Sequence, residues 1–113
     1  MTVEQLTEYG ANTAEGIRRC MNMPDFYLRM VGMIAKDDHL KKLRSALDAR
    51  DLNAAFEEAH ALKGVLANLE MTPVLTPIAE ITELLRARKD MDYDPLLEKA
   101  EQEMAKLLAL ING

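Results

Sequence analysis

The sequence predicts an all-α protein, an up-and-down antiparallel four-helix bundle with short helices at its N-terminal end. Apolar residues recur every three or four positions along most of the chain, and no stretch alternates as a strand would. Capping residues and prolines divide the chain into segments with short connections, so consecutive long helices are expected to run antiparallel. The composition is 49% hydrophobic but only 4% aromatic, and tryptophan is absent. This balance is typical of a helical globular protein.

The N-terminal region is predicted to form two short helices. The first runs from Thr2 to about Tyr9 and ends at Gly10, because glycine readily adopts the left-handed conformation that terminates helices. Asn12 is followed three residues later by Glu15, a spacing that resembles a capping box. It opens a second helix through about Cys20.

Three longer segments follow. Asn22 and Pro24 start a helix whose apolar residues recur at helical spacing: Phe26, Met30 and Ile34. Residues 37–49 form the next helix and carry three leucines on one face: Leu40, Leu43 and Leu47. Asp51 then caps a helix that contains the sequence EEAHALKGVLANLE at residues 57–70.

Prolines set the boundaries of the last two helices. Thr72-Pro73 and Thr76-Pro77 both resemble helix starts, because proline is favoured at the first helical position. Inside a helix, however, proline costs about 3 kcal/mol. We therefore predict a bent or loose chain near Pro77 and a regular helix from there to about Lys89. Asp94-Pro95 starts the final helix, whose apolar residues repeat in steps of three and four: Leu97, Ala100, Met104, Leu107 and Ile111.

Length and charge limit the functional classes. The 113 residues have the size of one compact domain, and we predict a single helical domain over residues 1–113. The net charge of −5 argues against nucleic acid as a partner, since phosphate binding needs concentrated positive charge. Because no apolar run reaches the roughly 20 residues that cross a membrane and no signal peptide is visible, we expect a cytoplasmic protein without a membrane partner. We also expect a monomer. The single cysteine, Cys20, is predicted to be a buried or half-buried apolar residue, and no metal site is expected.

The helix containing residues 57–70 has one clear apolar face. At about 100° per residue, six residues fall within a sector of about 80°: Leu52, Ala55, Ala59, Leu62, Leu66 and Leu69. His60 lies about 130° from the centre of this sector, and Gly64 lies nearly opposite it. His60 is therefore predicted to be exposed to solvent.

Three residues on this outer face suggest a chemical role. An exposed imidazole is partly to largely neutral at physiological pH and can attack an electrophile. Lys63 lies one turn further on, where its ammonium can reach the oxygens of a group attached to the ring. Gly64 costs about 1 kcal/mol relative to alanine, which indicates that another molecule approaches closely. The three together describe a phosphoryl carrier, although a surface histidine beside a helix-interior glycine is an equally good interpretation of these residues alone.

The sequence AHALKG at residues 59–64, followed by ANL at 67–69, resembles the signature of histidine-containing phosphotransfer (HPt) domains, usually written AHxLKG with a downstream NL. The resemblance covers most of the chain in length and helix order. It implies that His60 is phosphorylated on the ring nitrogen farther from the backbone. It also implies that Lys63 contacts the phosphoryl oxygens and that Gly64 leaves room for a response-regulator receiver domain.

Three residues depart from the family pattern. Val65 and Leu66 stand where small residues or serine are common, and Glu70 replaces a frequent glycine. Val65 flanks the motif, where it is expected to narrow the choice of partner. Glu70 is two to three turns from His60, too far to block the chemistry. None of these departures removes an inferred role.

The resemblance implies a phosphoryl carrier without autonomous turnover. His60 would accept the group from a phospho-aspartyl receiver or a kinase and pass it to a response-regulator receiver in a two-component phosphorelay. The expected partners are receiver domains and a sensor or hybrid histidine kinase. No cofactor is expected in this chain, because the divalent metal and the acidic residues that assist transfer belong to the receiver.

Three other interpretations of the sequence are open. One is a non-phosphorylated docking adaptor for receiver domains, and another is a domain cut from a larger hybrid kinase. A diiron enzyme is suggested by the Glu57-x-x-His60 spacing, but such bundles need a second copy of that motif and inward-facing ligands. The only other histidine, His39, has Lys36 three residues before it and is predicted to be a solvated surface residue.

Overall fold

The computed structural model describes residues 1–113, which form seven α-helices and one short 3-10 segment and no strands. The elements are α1 (Val3–Tyr9), α2 (Thr13–Arg19), α3 (Pro24–Gly32), the 3-10 segment Met33–Lys36, α4 (His39–Asp48), α5 (Leu52–Asn68), α6 (Thr72–Arg86) and α7 (Asp94–Asn112). Helices α4 to α7 form the predicted bundle, in which each helix packs against the next. Arg44 joins α4 to α7 through ion pairs with Asp94 (2.9 Å) and Glu101 (2.6 Å).

The caps of the first two helices follow the sequence closely. Thr2 and Gln5 form a reciprocal capping box, and Gly10 ends α1 with φ +119°. Asn12 caps α2 by accepting a hydrogen bond from the backbone N–H of Glu15 (3.3 Å). The carboxylate of Glu15 binds Arg18 and not the backbone of Asn12, so the capping box predicted at Asn12 is only half formed.

The N-terminal helices pack around the C-terminal end of α5. The buried Tyr27 hydroxyl donates to the Leu69 carbonyl (3.0 Å), and Arg19 donates to the Ala67 carbonyl (3.2 Å). Carbonyls in the last turn of a helix have no partner within the regular helical pattern, and α2 and α3 supply donors to this end of α5. Gly16 permits this packing, because a Cβ at that position would lie 2.9 Å from Cζ of Tyr27.

The buried apolar residues form one cluster to which both the N-terminal helices and the bundle contribute. Five of the six residues on the predicted apolar face of α5 are buried, and Leu52 is half-buried. The apolar residues predicted to repeat along α7 are also buried, except for the half-buried Ile111. The buried residues of α3 and the 3-10 segment differ in part from the predicted spacing. Tyr27, Val31 and Ile34 are buried, whereas the predicted Phe26 and Met30 are half-buried. Cys20 is buried, as predicted.

Helix α6 differs from the prediction at Pro77. The helix is continuous from Thr72 to Arg86, with Pro77 buried inside it, so the prediction that regular helix begins only after Pro77 was wrong. Pro77 removes one backbone hydrogen bond near the start of the helix. Val74 and Ile78 on either side are fully buried, and each buried aliphatic side chain contributes about 1.5–3 kcal/mol. This burial offsets the cost of the proline.

None of the helices combines the length and the apolar composition that crossing a lipid bilayer requires.

Candidate functional site

His60 lies on the outer face of α5 and is exposed, as the angular position of its residue predicted. The helix that carries it starts at Asp51, whose side chain accepts a hydrogen bond from the backbone N–H of Ala54 (3.1 Å). Gly64, one turn beyond His60, is also exposed, and a Cβ built there would have no atom within 4 Å apart from the adjoining backbone of α5. The surface beside the imidazole is therefore open to an approaching molecule.

A phenylalanine that the sequence analysis did not single out stacks on His60. Phe56 precedes it by four residues, and the two ring centroids lie 5.6 Å apart with 16° between the ring planes. Residues four apart on a helix share one face, so this spacing was the available signal. Phe56 is half-buried and packs against the core. One face of the imidazole thus rests on a ring that the fold holds in place.

Lys63 reaches toward α6 rather than standing free in solvent. Its Nζ lies 3.9 Å from Oε2 of Glu83, which also accepts a hydrogen bond from Nε of Arg86 (3.3 Å). Glu83 is exposed, and an exposed ion pair of this length contributes less than about 1 kcal/mol. Lys63 is therefore held loosely and can exchange Glu83 for another anion.

Two arginines from the C-terminal end of α6 complete the surroundings of His60. The guanidinium carbons of Arg86 and Arg88 lie 5.1 and 4.9 Å from the centroid of the Phe56 ring, a distance typical of cation–π contacts. With Lys63, they give this face three cations on a chain whose net charge is −5. The arginines were missed because sequence alone does not show which part of α6 lies beside α5.

The metal-site interpretation does not fit the orientation of the side chains. Glu57 and His60 are both exposed on the outer face of α5, whereas a diiron site requires its ligands to face the inside of the bundle. No group of three or more His, Cys, Asp or Glu side chains is placed to hold a metal ion. His39 is not simply solvated as predicted, because its Nδ1 lies 2.7 Å from Oε2 of Glu58. This contact ties the start of α4 to α5.

The departures from the family pattern now have structural explanations. Leu66 is buried in the core and Val65 is half-buried. Glu70 follows the end of α5 with φ +59°, a left-handed conformation that glycine adopts most easily. Its carboxylate lies 3.2 Å from the guanidinium of Arg19, so Glu70 is paired with α2.

The comparison with protein families gives one match. A family model described as "Hpt domain" matches residues 36–110, which is more than half of the chain. The matched residues include α4 to α6, most of α7 and the whole of the motif at residues 59–64. The chain matches no curated protein and no solved structure.

Proposed function

The chain belongs to the histidine-containing phosphotransfer family, and from this premise we propose that it accepts a phosphoryl group on His60 and passes it on in a two-component phosphorelay. Members of this family are phosphoryl carriers that interact with receiver domains and histidine kinases. The observation that carries the proposal is the exposed imidazole of His60 beside the open surface at Gly64. It gives a protein-sized donor access to the ring.

Transfer to His60 would begin with the neutral ring, with its proton on Nδ1. The lone pair of Nε2 attacks the phosphorus of a receiver aspartyl phosphate in line with the leaving carboxylate oxygen. The bond from phosphorus to that oxygen breaks as the bond to Nε2 forms, and the aspartate leaves as a carboxylate. The same path run backwards delivers the group to a second receiver.

The contribution of this chain to such a step is acceptor geometry and charge. Phosphoryl transfer depends mostly on positioning and on charge neutralisation. In the proposal, Lys63 leaves Glu83 and contacts the phosphoryl oxygens, while Gly64 provides clearance for the partner. The divalent metal and acidic residues are supplied by the receiver, so the chain needs no cofactor and shows no turnover by itself.

The proposed partners are response-regulator receiver domains and a sensor or hybrid histidine kinase. We further propose that residues 1–113 act as one domain. The support for this is the shared core, to which α1 contributes Leu6 and α3 contributes Tyr27.

A labelling experiment tests the proposal. The purified chain and the variant His60→Gln are mixed with a set of radiolabelled phospho-receiver domains, and the labelled product is treated with acid and with base. Label on the wild type alone, lost in acid and stable in base, identifies phosphohistidine. If no receiver or kinase labels the wild type while circular dichroism shows a folded helical protein, the docking-adaptor interpretation replaces the proposal.

A further inference from the structure

We propose that Arg88 is a docking residue of this site and that it binds a carboxylate at the rim of the partner receiver domain. This inference rests on the proposed function, because it names a contact of the same transfer complex. Arg88 is exposed and lies just beyond the end of α6, with its guanidinium over the Phe56 ring on which His60 stacks. The ring distances place the guanidinium carbon within about 11 Å of the imidazole centroid.

The side chain of Arg88 is anchored in one orientation. Nε donates to Oδ1 of Asn53 (2.7 Å) and Nη1 donates to the Leu85 carbonyl (2.6 Å). A third contact is the Phe56 ring at 4.9 Å. Because these contacts fix a side chain that is otherwise flexible, a ligand that binds Arg88 loses less conformational entropy than one that binds a mobile arginine.

The charge of Arg88 remains available because its hydrogen-bond partners are neutral groups. Lys63 and Arg86 differ in this respect, since both face the carboxylate of Glu83 at 3.9 and 3.3 Å. The anchoring bonds of Arg88 use Nε and one N–H of Nη1. Three N–H groups on Nη1 and Nη2 stay open, and a guanidinium fork of this kind matches the two oxygens of a carboxylate.

The backbone at Arg88 is unfavourable for any residue with a side chain. Its φ is +53°, in the left-handed region that glycine prefers. Glycine commonly occupies this position after a helix. The backbone therefore accommodates glycine at this position, which makes Arg88→Gly a suitable test variant.

A carboxylate of the partner fits this cation better than the transferred phosphoryl group does. Phe56 contacts both groups, since the guanidinium carbon lies 4.9 Å from its ring centroid and the imidazole stacks on the same ring. Lys63 is only three residues from His60 and is the nearer candidate for the phosphoryl oxygens. Arg88 is therefore assigned to the edge of the docking surface, where charges mainly govern the rate of association.

Arg88→Gly and Arg50→Gly form a matched pair for the test. Arg50 is also exposed and also has a left-handed backbone (φ +56°). It lies before the start of α5, far from His60: Leu52, two residues later, is already about 12 Å from His60 along the helix axis. Both substitutions remove one positive charge and place glycine where the backbone favours it. Circular dichroism melts establish that both variants fold. The second-order rate of loading from a radiolabelled phospho-receiver is then measured for each variant at low and at high salt.

We expect Arg88→Gly to load about tenfold more slowly than wild type at low salt and Arg50→Gly to load normally. The difference in loading rate between the two variants should disappear near 1 M salt, where interactions between charges are screened beyond about 3 Å. Normal loading of Arg88→Gly overturns the inference and leaves the proposed function standing. Equal slowing of both variants has the same meaning, because it would show an effect of net charge and not of a contact at Arg88. Normal loading followed by faster hydrolysis of the phosphohistidine in Arg88→Gly contradicts the carboxylate assignment. Failure of every receiver to load wild type overturns the proposed function itself.

Discussion

The phenyl ring of Phe56 lies nearly parallel to the imidazole of His60, with 5.6 Å between centroids and 16° between planes. The two residues are one helical turn apart, so the backbone of α5 fixes their separation. The core holds Phe56, and Phe56 in turn limits the orientations open to the exposed imidazole. In-line transfer requires an oriented nitrogen, which makes this stack a candidate positioning contact for the proposed chemistry.

Replacing Phe56 with leucine should slow phosphoryl transfer by about two- to tenfold, the range that corresponds to an aromatic pair worth about 0.5–1.5 kcal/mol. Phe56→Tyr keeps the ring and should transfer at close to the wild-type rate. Proton NMR reports the stack directly, because removing the phenyl ring shifts the His60 ring resonances. Equal transfer rates for the leucine and tyrosine variants would contradict a positioning role.

Gly64→Ala should raise stability and lower transfer. Alanine is favoured over glycine by about 1 kcal/mol in a helix interior, and the added methyl meets no side chain within 4 Å outside the adjoining residues. The methyl does protrude toward a docking partner. Thermal melts and loading rates measure the two effects separately.

Gly32→Ala is the matched control for this substitution. Gly32 ends α3, and a Cβ there also has no neighbour within 4 Å. We expect Gly32→Ala to retain the wild-type loading rate. An unchanged rate in Gly64→Ala would show that the site needs no clearance at this position.

Glu83→Gln should speed the loading of His60 by up to about fivefold. The substitution releases Lys63 from the carboxylate 3.9 Å away, and the limit follows from the roughly 1 kcal/mol that an exposed ion pair contributes. Glu80→Gln removes the same charge from an exposed position three residues earlier on α6 and should have little effect. If both variants load at the wild-type rate, Glu83 does not compete for Lys63.

The free energy of unfolding should fall as the pH rises above 10. Burial raises the pKa of the Tyr27 phenol to about 12 from an ordinary value of 10.0, and Cys20 and Glu70 add smaller contributions in the same direction. Between pH 10 and pH 12 the unfolded chain loses the phenol proton and the folded chain keeps it. This contribution to stability is therefore present below pH 10 and is lost toward pH 12, by about 3 kcal/mol. Urea titrations across this range should give a shallower decline for Tyr27→Phe. A decline equal to that of wild type would assign the effect to other groups, such as the half-buried Tyr9, whose pKa is also raised by burial.

Much of the fold followed from local signals. The cap at Asp51 and the apolar sector of α5 determined where the helix starts and which way His60 faces, because one helix with one buried face has a single consistent orientation. Pro77 was misjudged because its local cost was weighed without the burial of Val74 and Ile78 that offsets it. A local rule fails where tertiary packing contributes more than the local preference.

The sequence predicted only those residues of the candidate site that lie on α5. His60, Lys63 and Gly64 lie on one helix, and their shared face can be worked out from the helical repeat. Arg88 follows the end of α6, and its position depends on how α6 packs against α5. Its left-handed backbone, like that of Glu70, gives no recognisable signal, since a glycine is the residue expected at such positions.

The central claim is that His60 carries a phosphoryl group in both directions. The most direct test loads the chain from one radiolabelled phospho-receiver, purifies it, and adds a second, unphosphorylated receiver with a divalent metal. The account predicts that the label leaves the chain and appears on the second receiver as acyl phosphate, with no label loaded on His60→Gln at the start. Label that stays on wild type, or that loads equally on His60→Gln, would contradict the account.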